Sequence, residues 1–382
     1  MLYLARYNEP MNKKLKIFII AGEVSGDVLG AKIMAAAKNA EFIGIGGENM
    51  QACGLRTLFP ISDLAVMGLF EVIANARTLT RRINETVDAI IKEKPDIVLT
   101  IDSPSFAKRV IQKVKKISQL SILNSPVFYH VVAPQVWAWG EKRAKKFAEI
   151  FDRLYCFFDF EVPYFTKYGL ETIAVGHPIA SGLKQQKKFE KNQIALIPGS
   201  RMSEVKKLLP IFKKASELIC NQNPSDVWYN FYIPVVETTK EYIKKETADW
   251  CVKPELVPAL SRYELFANTD IAIAASGTVS AELAIMHVPA IVVYKMNPVT
   301  EFFARFMLKI KWVSLVNILL KKTVCPELLG KDCTSEHIAG HVKKLLTASS
   351  REKMVSELFK ADNLWHKNRP AAKLIAGDLL RF

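Results

Sequence analysis

The sequence predicts an α/β protein with two Rossmann-like domains facing across a cleft. Three observations predict it. Short apolar runs rich in β-branched residues alternate with helical stretches, which implies parallel sheets joined by crossover helices. A polar, highly charged stretch, KQQKKFEKNQ at 184–193, interrupts that alternation, which then restarts. At 382 residues, half of them hydrophobic, the chain is too long for one ordinary core and has ample material for two.

The elements follow in order. The stretch KIFIIAGEVSGDVLGAKIM (16–34) reads as a strand (16–21), a tight turn and a helix resuming at Val28. Further strands are expected at 41–45, 96–101, 127–132, 153–158 and 172–175, with helices at 78–94 and 104–118. Beyond the charged stretch come strands 194–198, 229–234, 251–256, 270–275 and 290–294, with helices at 203–220 and 278–286. The expected domains are 13–180 and 181–350. Helices in 351–382 are expected to pack back on the first domain or on a partner subunit. Residues 1–12 lack the apolar core of a secretion signal, Met11 is an alternative start, and no function is expected there. No run of about 18 uncharged apolar residues occurs, so no segment is expected to span a bilayer.

The six cysteines are scattered without a C-x-x-C pair, which argues against a zinc or disulfide framework and fits a reducing cytoplasm. The net charge of +15 suggests nucleic acid, an anionic membrane surface or phosphorylated ligands. Lysine-rich helical faces such as KKLLPIFKKASEL (206–218) account for many of these charges. No nucleic-acid motif occurs, so no nucleic-acid partner is expected.

Ligands of such sheets bind at the carboxyl ends of the strands. The first strand ends in an acidic turn, Gly22 to Asp27, unsuited to a phosphate. Glu23, Ser25 and Asp27 there either hydrogen-bond sugar hydroxyls or serve as helix cap and solvated charge. Asp102, after strand 96–101, stands where a general base would, or caps the helix opened by Pro104. After strand 127–132 the loop APQVWAWG (133–140) offers Gln135 and Trp137, either as a sugar-stacking surface or as a loop folded onto the core. In the second half, Gly199-Ser200-Arg201 opens a helix and suits a diphosphate. Ser276-Gly277-Thr278 forms a similar turn, and Glu282 beyond it is either a ribose ligand or a carboxylate favoured by the helix dipole. His337 and His341 have i, i+4 spacing, but no H-E-x-x-H pattern or nearby cysteine accompanies them. No Asp-x-Asp pair occurs, so no metal is expected.

Seven segments occur together in order: AGEVSGD (21–27), IDSPSF (101–106), VAPQVWAW (132–139), VGHP (175–178), IPGSR (197–201), ASGTVSAE (275–282) and SLVN (314–317). Over roughly residues 13–375 the chain closely resembles the lipid A disaccharide synthase family, inverting UDP-sugar glycosyltransferases of the two-Rossmann-domain, GT-B type. The resemblance implies transfer of 2,3-diacylglucosamine from UDP-2,3-diacylglucosamine to the 6-hydroxyl of 2,3-diacylglucosamine 1-phosphate. The products would be a β-1,6-linked disaccharide 1-phosphate and UDP, with no cofactor. Another UDP-sugar enzyme of the same architecture, such as a UDP-N-acetylglucosamine epimerase, is the alternative. By resemblance Asp102 matches the carboxylate proposed as base, Arg201 and Asn317 match polar residues implicated in activity, and Glu23 and Ser25 match the donor-proximal turn. Asn317 thereby joins the expected UDP contacts. The sequence departs from the family pattern at Val316 (proline expected), at Lys321-Lys322 (often Gly-Arg) and at Gly330 (where a glutamine is common).

Acylated substrates call for a lipid surface. In 66–83, Val66, Leu69, Phe70 and Ile73 share a helical face, followed by Arg77, Arg81 and Arg82. In 302–313, Phe302, Phe303, Phe306, Met307 and Ile310 form a second stripe with Arg305, Lys309 and Lys311 around it. Each stripe is either an interfacial helix or a core-packing face. The expected location is cytoplasmic, peripheral on the cytoplasmic face of the inner membrane. The two acyl-sugars are the expected partners, with a homodimer left open.

Overall fold

The computed structural model describes residues 14–64, 76–121, 125–180, 192–221, 228–295, 311–365 and 369–382. Residues 65–75 and 296–310, which carry every apolar residue of both stripes, Val66, Leu69, Phe70 and Ile73 among them, and 184–191 of the charged stretch lie outside the described residues. Two units emerge: Met1–Pro178 with Asn368–Phe382, and Ile179–Lys367. The sequence reading groups 351–382 together. The contacts divide that segment instead, leaving helix Ala348–Lys360 in the second unit and helix Ala371–Leu379 in the first.

The first unit holds β1 (Leu15–Ala21), β2 (Ala40–Ile45), β3 (Ile97–Ile101), β4 (Val127–Val131), β5 (Arg153–Cys156) and β6 (Glu171–Ala174). All pair in parallel, in the order β2-β1-β3-β4-β5-β6. Strand side chains alternate between two faces, and both faces are buried, which is why these strands read as continuous apolar runs. Phe18, Ile20, Val98, Phe128 and Leu154 face helices Ala76–Glu93 and Pro104–Ser121. Ile17, Ile19, Leu99, Tyr129 and Tyr155 face helix Val24–Ala36 and the C-terminal helix Ala371–Leu379. Asp378 pins that last helix, accepting from Arg153 and from the Tyr155 hydroxyl at 2.5 Å each.

The second unit holds β7 (Gln193–Ile197), β8 (Asn230–Val235), β9 (Glu255–Pro258), β10 (Ile271–Ala275), β11 (Ala290–Tyr294) and β12 (Glu327–Leu329), in the order β12-β11-β10-β7-β8-β9. The strand expected at 251–256 forms only after Pro254, and Pro258 is tolerated because β9 is an edge strand. β12 has no counterpart in the sequence reading, being three residues long and preceded by a proline. Strand order reverses between β1 and β3 in one sheet and between β7 and β10 in the other. Such reversal points open a crevice at the carboxyl ends of the strands.

Candidate active site

At the β1/β3 reversal two turns interlock. The Gly22 N–H donates to the Ile101 carbonyl at 3.2 Å. A Cβ on Gly22 would lie 2.0 Å from the Ser103 hydroxyl oxygen, so only glycine lets the turns approach this closely. Asp102 and Ser103 both take the left-handed conformation, φ +57° and +46°. Ser25, exposed near the start of helix Val24–Ala36, reaches Oδ2 of Asp102 at 3.4 Å. Burial and the neighbouring Glu23 charge push the Asp102 carboxyl up to about 6, and the Ser25 hydrogen bond partly opposes them. The structure thus brings Glu23, Ser25 and Asp102 together.

Asp27 goes elsewhere. Buried, it accepts from the backbone N–H groups of Gly47 (2.8 Å), Asn49 (3.0 Å) and Met50 (3.0 Å) and from Asn49 Nδ2 (2.8 Å). It caps the short helix Glu48–Ala52 from another element, which differs from the sugar contact expected of it and leaves the carboxylate saturated. Gln135 is exposed on the loop after β4. Trp137 is half-buried, its ring edge-on to Phe160 with centroids 5.8 Å apart and its indole nitrogen buried. This is a loop folded onto its own unit rather than a bare stacking surface.

In the second unit the Gly199-Ser200-Arg201 turn opens the 20-residue helix Met202–Asn221. Gly199 has φ +99°, and a Cβ there would meet Glu204 Oε2 at 2.4 Å. Ser200 and Arg201 are exposed, and the Arg201 guanidinium lies 3.3 Å from Glu204. The second turn starts where the Ser276 N–H donates to Val293 O (2.9 Å). Gly277 and Thr278 are exposed at the N-terminus of helix Thr278–Ile285. Both turns therefore lie at the β7/β10 reversal, with helix N–H groups facing outward.

Glu282 is buried, and its carboxylate is already engaged by Arg262 (3.0 and 3.1 Å) and by the Tyr263 hydroxyl (3.0 Å). Asn317 is fully buried. Its Nδ2 donates to Cys325 O (2.7 Å) and Glu327 Oε1 (2.8 Å), and its Oδ1 accepts from the N–H groups of Val324 (2.7 Å) and Cys325 (3.0 Å). Every hydrogen-bonding position of that amide is filled inside the protein, unlike the UDP contact expected of it. Lys321 sits at φ +52°, a conformation that favours glycine. Arg262, Tyr263 and Glu327 escaped the sequence reading because nothing local marks them; their partners lie 10 to 20 residues away.

Among the described residues no group of three or more His, Cys, Asp or Glu could hold a metal ion, and no helix is long and apolar enough to cross a membrane. His337 Nδ1 lies 2.9 Å from the Asp332 carbonyl oxygen.

Two parallel six-stranded sheets, each flanked by helices and each carrying polar turns at its reversal point, define a GT-B-type protein. The same fold occurs in the UDP-GlcNAc 2-epimerase of Neisseria meningitidis (TM-score 0.62, 12% identity, 96% of this chain and 100% of that one). It also occurs in MurG of Acinetobacter baumannii (TM-score 0.60, 14% identity, 96% and 100%). The chain belongs to the lipid-A-disaccharide synthase family, a family of glycosyltransferases: the family model described as lipid-A-disaccharide synthetase matches residues 17–375. The lipid-A-disaccharide synthase of Gluconobacter oxydans is 41% identical over 347 residues, covering 87% of this chain and 81% of that protein. That of Rhodospirillum centenum is 39% identical over 355 residues, covering 88% and 86%.

Proposed function

We propose that the chain transfers 2,3-diacylglucosamine from UDP-2,3-diacylglucosamine to the 6-hydroxyl of 2,3-diacylglucosamine 1-phosphate, with Asp102 as general base. The observation that carries this is the Asp102 carboxyl standing after β3 at the β1/β3 reversal, 3.4 Å from the Ser25 hydroxyl; burial raises it to about 6, near enough to neutral to accept a proton in water at working pH. Asp102 takes the proton of the 6-hydroxyl as its oxygen attacks the anomeric carbon. The bond from that carbon to the UDP oxygen breaks, the electron pair leaves with UDP, and the anomeric centre inverts. Ser25 and Glu23 tune Asp102 from opposite directions. The Gly199-Ser200-Arg201 and Ser276-Gly277-Thr278 turns, both at helix N-termini, supply positive ends for the charge that grows on the diphosphate. Glu282 and Asn317, engaged within the protein, shape that turn region rather than serving as its bare ligands.

The proposed setting is the cytoplasmic face of the inner membrane. The 66–83 pattern supports it, with Val66, Leu69, Phe70 and Ile73 as the apolar contacts. Of the arginines beyond them, Arg77 and Arg81 are exposed. Arg82 is tied to Asp63 (2.6 Å) and Glu85 (2.5 Å) and lies over the Phe59 ring, so the exposed Arg77 and Arg81, the latter 3.9 Å from Glu85, carry the basic flank.

The test is Asp102→Asn assayed for UDP release from the two acyl-sugars, beside UDP binding. Turnover should fall about a hundred- to ten-thousand-fold with UDP affinity retained. Wild-type turnover would remove Asp102 from the chemistry.

A further inference from the structure

Helices Pro104–Ser121 and Lys142–Ala148 link β3 to β4 and β4 to β5, neighbouring strands of the first sheet, and both pack on the same face of it. Their buried sides, Phe106 and Val110 from one and Ala144 and Phe147 from the other, share a core with Ile83 and Val87 of helix Ala76–Glu93. Their outer sides carry one sign of charge. The first helix holds five Lys or Arg, the second four, and neither contains an Asp or Glu. Arg109, Lys113 and Lys116 of the first and Lys142, Lys145 and Lys146 of the second are exposed. Among the described residues no cation of either helix is in an ion pair. Lys113 donates instead to the neutral Asn84 Oδ1 at 2.7 Å, and Glu141, just before the second helix, is paired with Lys167. Exposed lysines elsewhere do find carboxylates: Lys213 meets Asp249, Lys214 meets Glu336 and Lys360 meets Glu357. The pattern works against the helices that carry it. Arg109 with Lys113 and Lys142 with Lys146 are like charges one turn apart, and Lys142 stands in the first turn, at the positive end of its helix dipole. Water alone does not offset that repulsion; an anionic partner does.

We propose that the outer sides of these two helices form a docking face for an anionic bilayer surface, separate from the 66–83 stripe. The proposal rests on the reading that the enzyme works at a membrane, and it names the charged surface that meets the headgroups. Charge complementarity selects an anionic partner, and Leu120 selects lipid. It is 78% exposed and continues the Arg109–Lys113–Lys116 row one turn further on, so an apolar side chain stands in line with the cations. An apolar tip beside basic side chains suits the headgroup boundary of a bilayer. No nucleic-acid motif accompanies the face. The proposed substrates carry acyl chains and so belong to such a surface, and Asp102 stands two residues before the first helix, so the face starts beside the proposed base.

The test pellets the full chain with phosphatidylcholine vesicles, with and without phosphatidylglycerol, at low and high salt. Two variants each remove three charges from the face: Arg109→Gln/Lys113→Gln/Lys116→Gln and Lys142→Gln/Lys145→Gln/Lys146→Gln. A control, Lys32→Gln/Lys38→Gln/Lys373→Gln, removes three exposed charges around helices Val24–Ala36 and Ala371–Leu379, on the opposite side of the same sheet. Each face variant should lose on the order of a hundredfold in affinity for the phosphatidylglycerol vesicles, at about fivefold per charge. Each should also lose most of the salt-sensitive part of wild-type binding. The control should bind as wild type does. Melting temperatures of the face variants should equal or exceed that of wild type, because like-charge repulsion is relieved. UDP release from detergent-dispersed acyl-sugars should stay at the wild-type rate. Wild-type pelleting of both face variants overturns the docking face, as does an equal loss in the control, which assigns the effect to net charge. A loss of binding to a duplex oligonucleotide with vesicle binding unchanged gives the face to nucleic acid and overturns it too. Should one variant fail to fold, the other decides. If wild type itself ignores the anionic vesicles, the membrane reading fails and takes the docking face with it; if wild type pellets and the face variants pellet equally well, only the docking face fails.

Discussion

The Ser25 hydroxyl stands 3.4 Å from Oδ2 of Asp102, 77 residues away in sequence. It bridges the turns after β1 and β3, the two strands between which the sheet order reverses. Its hydrogen bond favours the ionised carboxylate, while burial and the Glu23 charge favour the protonated one.

Those opposed effects give a signed pH prediction. Activity should rise with pH through about 6 as Asp102 ionises. Ser25→Ala should move that inflection up, and Glu23→Gln should move it down. The same raised pKa costs stability as pH rises from the ordinary carboxylate range to about 6, because the folded state holds the proton more tightly. Asp102→Asn should therefore be the more stable protein above pH 6, by a few kcal/mol at most at about 1.4 kcal/mol per unit, and should lose that advantage near pH 4. Thermal melts at pH 4 and 8 check the second part, and pH–rate profiles the first.

Gly22→Ala places a methyl 2.0 Å from the Ser103 hydroxyl oxygen and 2.3 Å from its Cβ. Overpacking of this kind costs about 1–3 kcal/mol, and here it also pushes apart the turns carrying Ser25 and Asp102. Ser103→Gly removes both clashing atoms at a position already in the left-handed conformation. The double variant should regain most of the lost melting temperature, and no recovery would mean that another contact makes Gly22 necessary.

Arg201→Ala should weaken UDP binding by roughly 1.5–3 kcal/mol, about ten- to a hundredfold, if its guanidinium grips the diphosphate. Arg201→Lys should recover only part, since an ammonium is a point charge and a guanidinium a fork. Calorimetric titration with UDP decides this, and unchanged affinity in the alanine variant excludes the contact.

Asn317→Ala should destabilise the second unit by about 3 kcal/mol or more, because it strands several buried donors and acceptors at about 1–3 kcal/mol each. Asn317→Asp should be worse still at neutral pH, since it sets a carboxylate against the Cys325 carbonyl and Glu327. UDP affinity measured well below the melt should stay near wild type in the alanine variant. A large affinity loss with an unchanged melt would make Asn317 a direct ligand after all.

Replacing Leu69, Phe70 and Ile73 together by serine should abolish pelleting with anionic vesicles and leave the melt and UDP binding intact, if these side chains meet lipid. High salt should release the wild-type protein only partly. Apolar burial contributes roughly 1.5–3 kcal/mol per large side chain and salt does not weaken it, whereas each arginine adds about 1 kcal/mol that salt does weaken. If the three side chains are core instead, the melt collapses, at about 2–5 kcal/mol for each buried deletion.

What the sequence by itself determined is local. Apolar runs of strand length, helix-forming stretches after glycine or serine turns, and the restart of that alternation past residue 190 are properties of neighbours in the chain. Eleven of the twelve strands are legible from them, and so is the placing of Asp102, Arg201 and Ser276 at strand ends. The tertiary structure decided where buried polar side chains find partners. Asp27 reads as part of an acidic turn, yet it is bound by residues 20 to 23 positions later. Glu282 reads as a ribose ligand or as a carboxylate favoured by its helix dipole, and it meets Arg262, 20 positions earlier. Asn317 reads as a nucleotide contact, yet it is spent on holding Val324, Cys325 and Glu327. The physical reason is the same in each case. A polar residue type announces that a hydrogen bond must be made if the group is buried, while only the packing of distant elements determines which donor or acceptor stands within about 3 Å of it.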